Sequence, residues 1–187
     1  HVGAGTFKPV KAETIAEHDM HAEFIEVSRS AIEKLLNNLE KNIIAVGTTS
    51  LRTIESLYWL GVKISEENAV ADLFISQWYP YEKEKKPPAK KALECLLDYM
   101  KKHELEKLIA RTQIIIVPGY QFQIINALIT NFHQPQSTLL LLVAALIGEN
   151  WKNVYNYALE NNFRFLSYGD GCLLFGSDYA VTGETKV

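Results

Sequence analysis

Chemistry is concentrated at a few places in this 187-residue chain. The most explicit is the run Ile43-Ile44-Ala45-Val46-Gly47-Thr48-Thr49-Ser50. It reads as a short apolar strand, a Gly-Thr-Thr-Ser turn and then a helix over residues 51–60. Such a junction offers free backbone N–H groups, the positive helix end and three hydroxyls to whatever lies at the strand's carboxyl edge. A carboxylate, a ribose hydroxyl or a phosphate suits it. Arg52 and Glu55 stand three residues apart on one helix face, placed to pair or to reach a ligand. The same residues also suit an ordinary capped helix.

The remaining candidates are less specific. Residues 1–7 (His-Val-Gly-Ala-Gly-Thr-Phe) hold two glycines, Gly3 and Gly5, that let backbone approach a ligand, but no third glycine of a dinucleotide fingerprint. His18, His21 and Glu23 lie close together without the helical spacing of the common zinc motif, so substrate contact or loop packing is preferred to a metal. Thr130-Asn131-Phe132-His133 falls between an apolar stretch and a helix start, where an imidazole can exchange protons near neutral pH. Tyr168-Gly169-Asp170-Gly171 is a sharp turn holding a carboxylate, which also suits an Asp bracing its own turn.

The elements that must position these residues alternate between strands and helices. Residues 22–27 alternate as a half-buried strand, Ser28 caps a helix through Asn42, and residues 43–46 form a buried strand. A helix over 51–60 stops at Gly61. Residues 76–91 carry Trp78, Tyr79, Tyr81 and three prolines and are expected as an exposed excursion. A helix over 89–103, a strand over 112–117 and an ambiguous apolar stretch over 124–129 follow. Ser137-Thr138 opens a helix to Ile147, residues 151–162 form another, and 164–166 and 172–175 read as closing strands. This pattern implies an α/β fold with an open or barrel-like, mainly parallel sheet.

Composition bounds the function. With 48% hydrophobic residues the chain can bury the core of one domain. A net charge of −3 excludes a wholly basic nucleic-acid glove, so RNA contact needs a local patch or another part of the protein. Cys95 and Cys172 match no metal or redox spacing. The longest apolar run, 139–147, is too short to span a bilayer. No targeting signal appears, so a cytoplasmic location is expected. Opening at His1 on a glycine-rich run, the chain reads as an excised piece of a longer protein.

Taken in order, the motifs resemble those of the S-adenosylmethionine:tRNA ribosyltransferase-isomerase family of queuosine synthesis. They are the opening His-Val-Gly-Ala-Gly-Thr-Phe, Met-His-x-Glu at 20–23 and Val-Gly-Thr-Thr-Ser-x-Arg-Thr-x-Glu-Ser at 46–56. Pro-Gly-Tyr-x-Phe at 118–122, Leu-Ile-Thr-Asn-Phe-His-x-Pro-x-Ser-Thr-Leu-Leu at 128–140 and Phe-Arg-Phe-x-Ser-Tyr-Gly-Asp at 163–170 complete the set. The resemblance implies part of a barrel-like α/β domain, the C-terminal half of the enzyme, with the N-terminal half as its missing partner. It implies transfer and isomerisation of the ribosyl moiety of S-adenosylmethionine onto 7-aminomethyl-7-deazaguanine in tRNA, with release of adenine and methionine and no metal.

Carried onto these positions, His133, Asp170 and Glu55 become candidate catalytic residues. Gly3, Gly5, Thr6, Thr48, Thr49, Ser50, Arg52 and Asn131 become candidates for S-adenosylmethionine binding. Gln121 departs from the family pattern, where a basic residue is usual, and the 62–110 region is longer than expected. A diverged paralogue acting on another nucleoside, or a catalytically silent RNA-binding or assembly module, are the alternatives. An ordinary methyltransferase is disfavoured, since no strand–GxGxG–helix is present.

Overall fold

A computed structural model of the chain describes residues 19–66 and 72–177. In chain order its elements are β1 (Glu23–Ser28), α1 (Arg29–Leu36), β2 (Ile44–Val46), α2 (Thr48–Glu66), β3 (Phe74–Ile75) and α3 (Tyr79–Glu82). Then come α4 (Ala89–Lys102), β4 (Lys107–Thr112), β5 (Ala127–Asn131), α5 (Thr138–Ile147), α6 (Asn150–Glu160) and β6 (Gly171–Phe175). No helix among the described residues is long and apolar enough to cross a membrane.

The fold is α/β, as expected, but its strands form two small mixed sheets. One has the order β1-β4-β3 and the other β2-β5-β6. β2 runs parallel to β5 and β3 parallel to β4, whereas β1–β4 and β5–β6 are antiparallel. The parallel character is thus confined to one pairing in each sheet, and neither sheet closes into a barrel among the described residues. The reversal at β6 has a simple cause. Two helices rather than one separate it from β5, so the chain rejoins the sheet at the carboxyl end of β5, with Gly171 opposite Asn131.

Local chemistry sets most of the ends. Ser28 caps α1, its Oγ accepting from the N–H of Ala31 at 3.2 Å, but the helix stops at Leu36 instead of Asn42. Asn37 and Asn38 follow at once, residues that favour turns over helix. Ser137 caps α5 by accepting from the N–H of Leu140. In α4 the buried residues Ala92, Leu93, Leu96, Leu97 and Met100 recur at the spacing of one helix face.

The largest departure concerns α2, which continues through Gly61 to Glu66. Gly61 is no stop signal. A Cβ built there lies 2.0 Å from the carbonyl oxygen of Ala92, so glycine is what lets α2 and α4 meet. α2 is the central helix, burying Leu51, Leu57, Tyr58, Trp59, Leu60 and Val62.

The 76–91 segment is only half an excursion. Gln77 and Pro80 are buried, the Tyr79 ring stands edge-on to Trp59, and the Tyr81 hydroxyl donates to the Ile115 carbonyl at 3.1 Å. Exposure begins in earnest at Tyr81 and lasts to Pro88. Aromatic rings in a Pro-rich segment bury apolar area whenever a core edge is within reach, and here they roof α2. Residues 164–166 form no strand. Leu166 has a φ of 70° and donates its N–H to the Phe132 carbonyl, which locks a turn there.

Candidate active site

The carboxyl ends of β2 and β5 lie side by side, because Val46 pairs with Ile129 and the N–H of Gly47 donates to the Ile129 carbonyl at 2.8 Å. From this edge two loops depart. β2 passes through Gly47, at a φ of 87° that suits glycine alone, directly into α2. β5 passes through Phe132 and His133 to the Ser137 cap. The expected strand-to-helix junction is present, but α2 begins at Thr48 rather than at Leu51, so Thr48, Thr49 and Ser50, expected as a turn, form its first turn.

Helix geometry gives the N–H groups of this turn no intrahelical acceptor, and no hydrogen bond from them is found among the described residues. Thr48 is buried, while Ser50 is exposed. Free N–H groups, a hydroxyl and the positive helix end make this edge receptive to a carboxylate, a phosphate or sugar hydroxyls.

His133 is brought to the same edge, but as a braced residue. Its Nε2 lies 3.0 Å from the Thr130 Oγ1, and its backbone N–H donates to the Tyr155 hydroxyl at 3.1 Å. Burial lowers its pKa to about 4, so the imidazole is neutral at physiological pH. A neutral ring there can hydrogen-bond a polar ligand, and it has no proton to give as an imidazolium.

Asn131 and Asp170 shape the neighbouring turn. The Asn131 Nδ2 donates to the Gly169 carbonyl at 3.2 Å, tying β5 to the 164–170 turn. Asp170 accepts from the backbone N–H of Arg164 at 2.7 Å and from its guanidinium at 3.1 Å, and Asp170 donates its own N–H to the Arg164 carbonyl. The hydrogen bonds from the Arg164 side chain and backbone hold its carboxyl below the usual range. The turn displays Tyr168 almost wholly to solvent.

Arg52 and Glu55 lie on α2 one to two turns further in, and the structure gives both a buried setting. Residues 113–126 have no regular secondary structure, yet Ile114, Ile115, Ile116, Ile124 and Ile125 are buried. Buried irregular backbone needs polar partners; residues 75–81 supply those of Gln113, Ile115 and Val117, and α2 supplies those of Ile114 and of residues 123–125. Glu55 accepts from the N–H groups of Gln123, Ile124 and Ile125 at 3.0 Å each, and from the Tyr120 hydroxyl at 2.7 Å. Trp59, one turn along, donates its indole N–H to that hydroxyl at 2.8 Å. Burial pushes the Glu55 carboxyl up, and the N–H and O–H donors oppose it. Since an N–H can only donate, both oxygens are committed as acceptors, and the geometry leaves Glu55 no path to a ligand.

Arg52 is likewise engaged. Its Nε donates to the Ile114 carbonyl at 3.0 Å and one Nη to the Glu23 carboxylate at 2.7 Å. The other, Nη2, is buried without a hydrogen bond to the described residues. Glu23, first met beside His21, is thus the counter-charge of Arg52. Gly3, Gly5 and Thr6 lie outside the described residues. The residues that sequence reasoning missed are Trp59, Tyr120 and Tyr155. The spacing of Glu55 and Trp59, one helix turn apart facing the same way, was a readable signal for the first.

The structure thus joins the sequence motifs physically. Met-His-x-Glu meets Thr-Thr-Ser-x-Arg-Thr-x-Glu-Ser through Glu23–Arg52, and the latter holds Pro-Gly-Tyr-x-Phe through Glu55–Tyr120. The family described as queuosine biosynthesis protein matches residues 1–85 and 89–174. Among solved structures, the chain is similar to the S-adenosylmethionine tRNA ribosyltransferase of Thermotoga maritima, at 28% identity and a TM-score of 0.53. That match covers 81% of this chain and 40% of the Thermotoga chain, so the sequence spans about two-fifths of the length of that relative. With nearly its whole length matched, the chain belongs to the queuosine biosynthesis protein family.

Proposed function

We propose that this chain carries one part of a transferase acting in queuosine synthesis. In that reading, the complete enzyme moves the ribosyl moiety of S-adenosylmethionine onto 7-aminomethyl-7-deazaguanine in tRNA and isomerises it, releasing adenine and methionine. The observation that supports it is the joint edge of β2 and β5, where the first turn of α2, whose N–H groups find no acceptor among the described residues, lies beside the Thr130–His133 segment. The substrate has an amino-acid carboxylate and ribose hydroxyls, and this edge offers N–H groups and hydroxyls that complement them.

The residues divide by what they do. Thr48, Thr49 and Ser50 bind, and the neutral His133 hydrogen-bonds the departing adenine or orients the ribose. Asn131 and Asp170 hold the adjoining turn in place, and Arg52 and Glu55 position the loop behind it. Gly3, Gly5 and Thr6 are assigned to the substrate pocket from the family motif alone. The tRNA and the rest of the enzyme are the partners.

The test is a chimera in which this chain replaces the matched two-fifths of the Thermotoga enzyme. With tRNA bearing the aminomethyl-deazaguanine, the chimera should release adenine and methionine in equal amounts, and the isolated chain should release neither. Formation of S-adenosylhomocysteine, which marks methyl transfer, would overturn the reading.

A further inference from the structure

Among the described residues, the β2-β5-β6 sheet is covered on one side only. Ala45, Leu128 and Leu174 point into the helical core and are buried. On the opposite face, alternate residues are apolar and open to solvent. Register places Val46, Ile129 and Leu173 in one row across the three strands, and Ile44 and Phe175 in the next, on either side of Ala127. Ile44, Val46, Ile129 and Leu173 are between 41% and 67% exposed. Strands that are apolar on both faces belong to sheets covered on both faces. A contiguous apolar patch of this kind marks an interface.

We propose that this face is the docking surface for the part of the family's polypeptide that lies outside the two-fifths matched here. The inference rests on the family membership and names where the remainder sits. Two observations select that occupant. The Thermotoga enzyme supplies more than half its length from outside the match, ample to cover a three-stranded face. Among the described residues β2 is also an edge strand, so the sheet can take further strands on that side. The patch runs directly into the candidate site, since Val46 precedes Gly47 and Ile129 precedes Thr130. Whatever seats on the patch therefore walls the first turn of α2 and completes the cleft.

The experiment uses this chain and the intact Thermotoga enzyme. The 187-residue chain should bind a hydrophobic dye such as anilinonaphthalene sulfonate, and Val46→Glu with Ile129→Glu should lower that binding several-fold with an unchanged circular dichroism spectrum. Loss of folding in those variants would show the positions to be internal and would overturn the proposal. In the intact Thermotoga enzyme, glutamate at the two matching positions should lower the melting temperature by at least about 5 °C, as expected for charges placed in a packed interface. Melting unchanged by these substitutions overturns it. So does a defined homodimer of the 187-residue chain that Val46→Glu dissolves, because a second copy is then the occupant. A chimera that folds with the patch protected but releases no adenine would refute ribosyl transfer and leave the interface standing.

Discussion

Replacing Glu55 with alanine removes the acceptor for three backbone N–H groups and the Tyr120 hydroxyl, all inside the protein. A buried donor left without an acceptor costs about 1–3 kcal/mol. Four of them therefore set a gross loss of roughly 4–12 kcal/mol. Two effects offset it: the carboxylate no longer needs to be stripped of water, and water can enter the vacated space to serve some of the donors. The expected net loss is about 3–5 kcal/mol, a large share of the ~5–15 kcal/mol that holds a domain folded.

Glu55→Gln should cost less, about 1–2 kcal/mol. Its amide oxygen can keep the Ile124 and Ile125 N–H groups, and the Tyr120 hydroxyl can rotate to accept from the amide, leaving Gln123 with only its longer, 3.3 Å bond to the amide oxygen. Urea unfolding by circular dichroism gives the free energies, and hydrogen exchange at residues 123–125 reports the loop itself. If Glu55→Ala costs under about 1 kcal/mol and those amides stay protected, the reasoning fails, and burial of the isoleucines alone orders the segment.

Gly61→Ala should destabilise by about 2–3 kcal/mol although alanine is the better helix former by ~1 kcal/mol, because the new methyl meets the Ala92 carbonyl; thermal melts decide this. The His133 pKa is lowered by burial from 6.5 to about 4, so the unfolded chain takes up the proton first. Stability should be full above pH 6.5 and decline as pH falls towards 4, and His133→Gln should flatten that decline in urea midpoints measured across the range. Arg52→Met should cost about 2–4 kcal/mol by leaving the largely buried Glu23 carboxylate without its counter-charge, and the double variant Arg52→Met with Glu23→Leu should recover most of it in the same assay.

The sequence made the strand–turn–helix at residues 43–56 legible because period, glycine and hydroxyl residues agree there. The caps at Ser28 and Ser137 were legible for the same reason. Gly61 was misread since a glycine that ends a helix and one that admits a neighbouring helix look alike until the neighbour, Ala92, is placed. The strand expected at 112–117 lies earlier, at Lys107–Thr112, and beyond it only the N–H groups of Gln113 and Ile115 still reach the carbonyls of Ile75 and Gln77. At the site, position was more legible than role. Glu55 and Arg52 carry the residue types of catalysis, yet they hold backbone groups 62 to 70 residues away, and no local pattern encodes such a distance. His133 was placed at the right edge, while its neutrality follows from burial that only packing reveals.

The clamp between α2 and the loop also dictates an order of events during synthesis and folding. Every donor that Glu55 receives lies 65 to 70 residues downstream. A nascent chain that has just emerged through α2 therefore carries on that helix the Glu55 carboxylate, whose donors are not yet made, although Glu23, the counter-charge of Arg52, already is. α2 can settle against α4 early, but its polar stripe stays hydrated until residues 113–125 arrive. Closing so long a loop is slow relative to local helix formation, so stripping that stripe of water is a late step. Mutations at Glu55 should accordingly speed unfolding far more than they retard folding. Until that late step is complete, a half-made chain exposes a wet seam along its central helix, the feature by which a chaperone could tell it from a finished one.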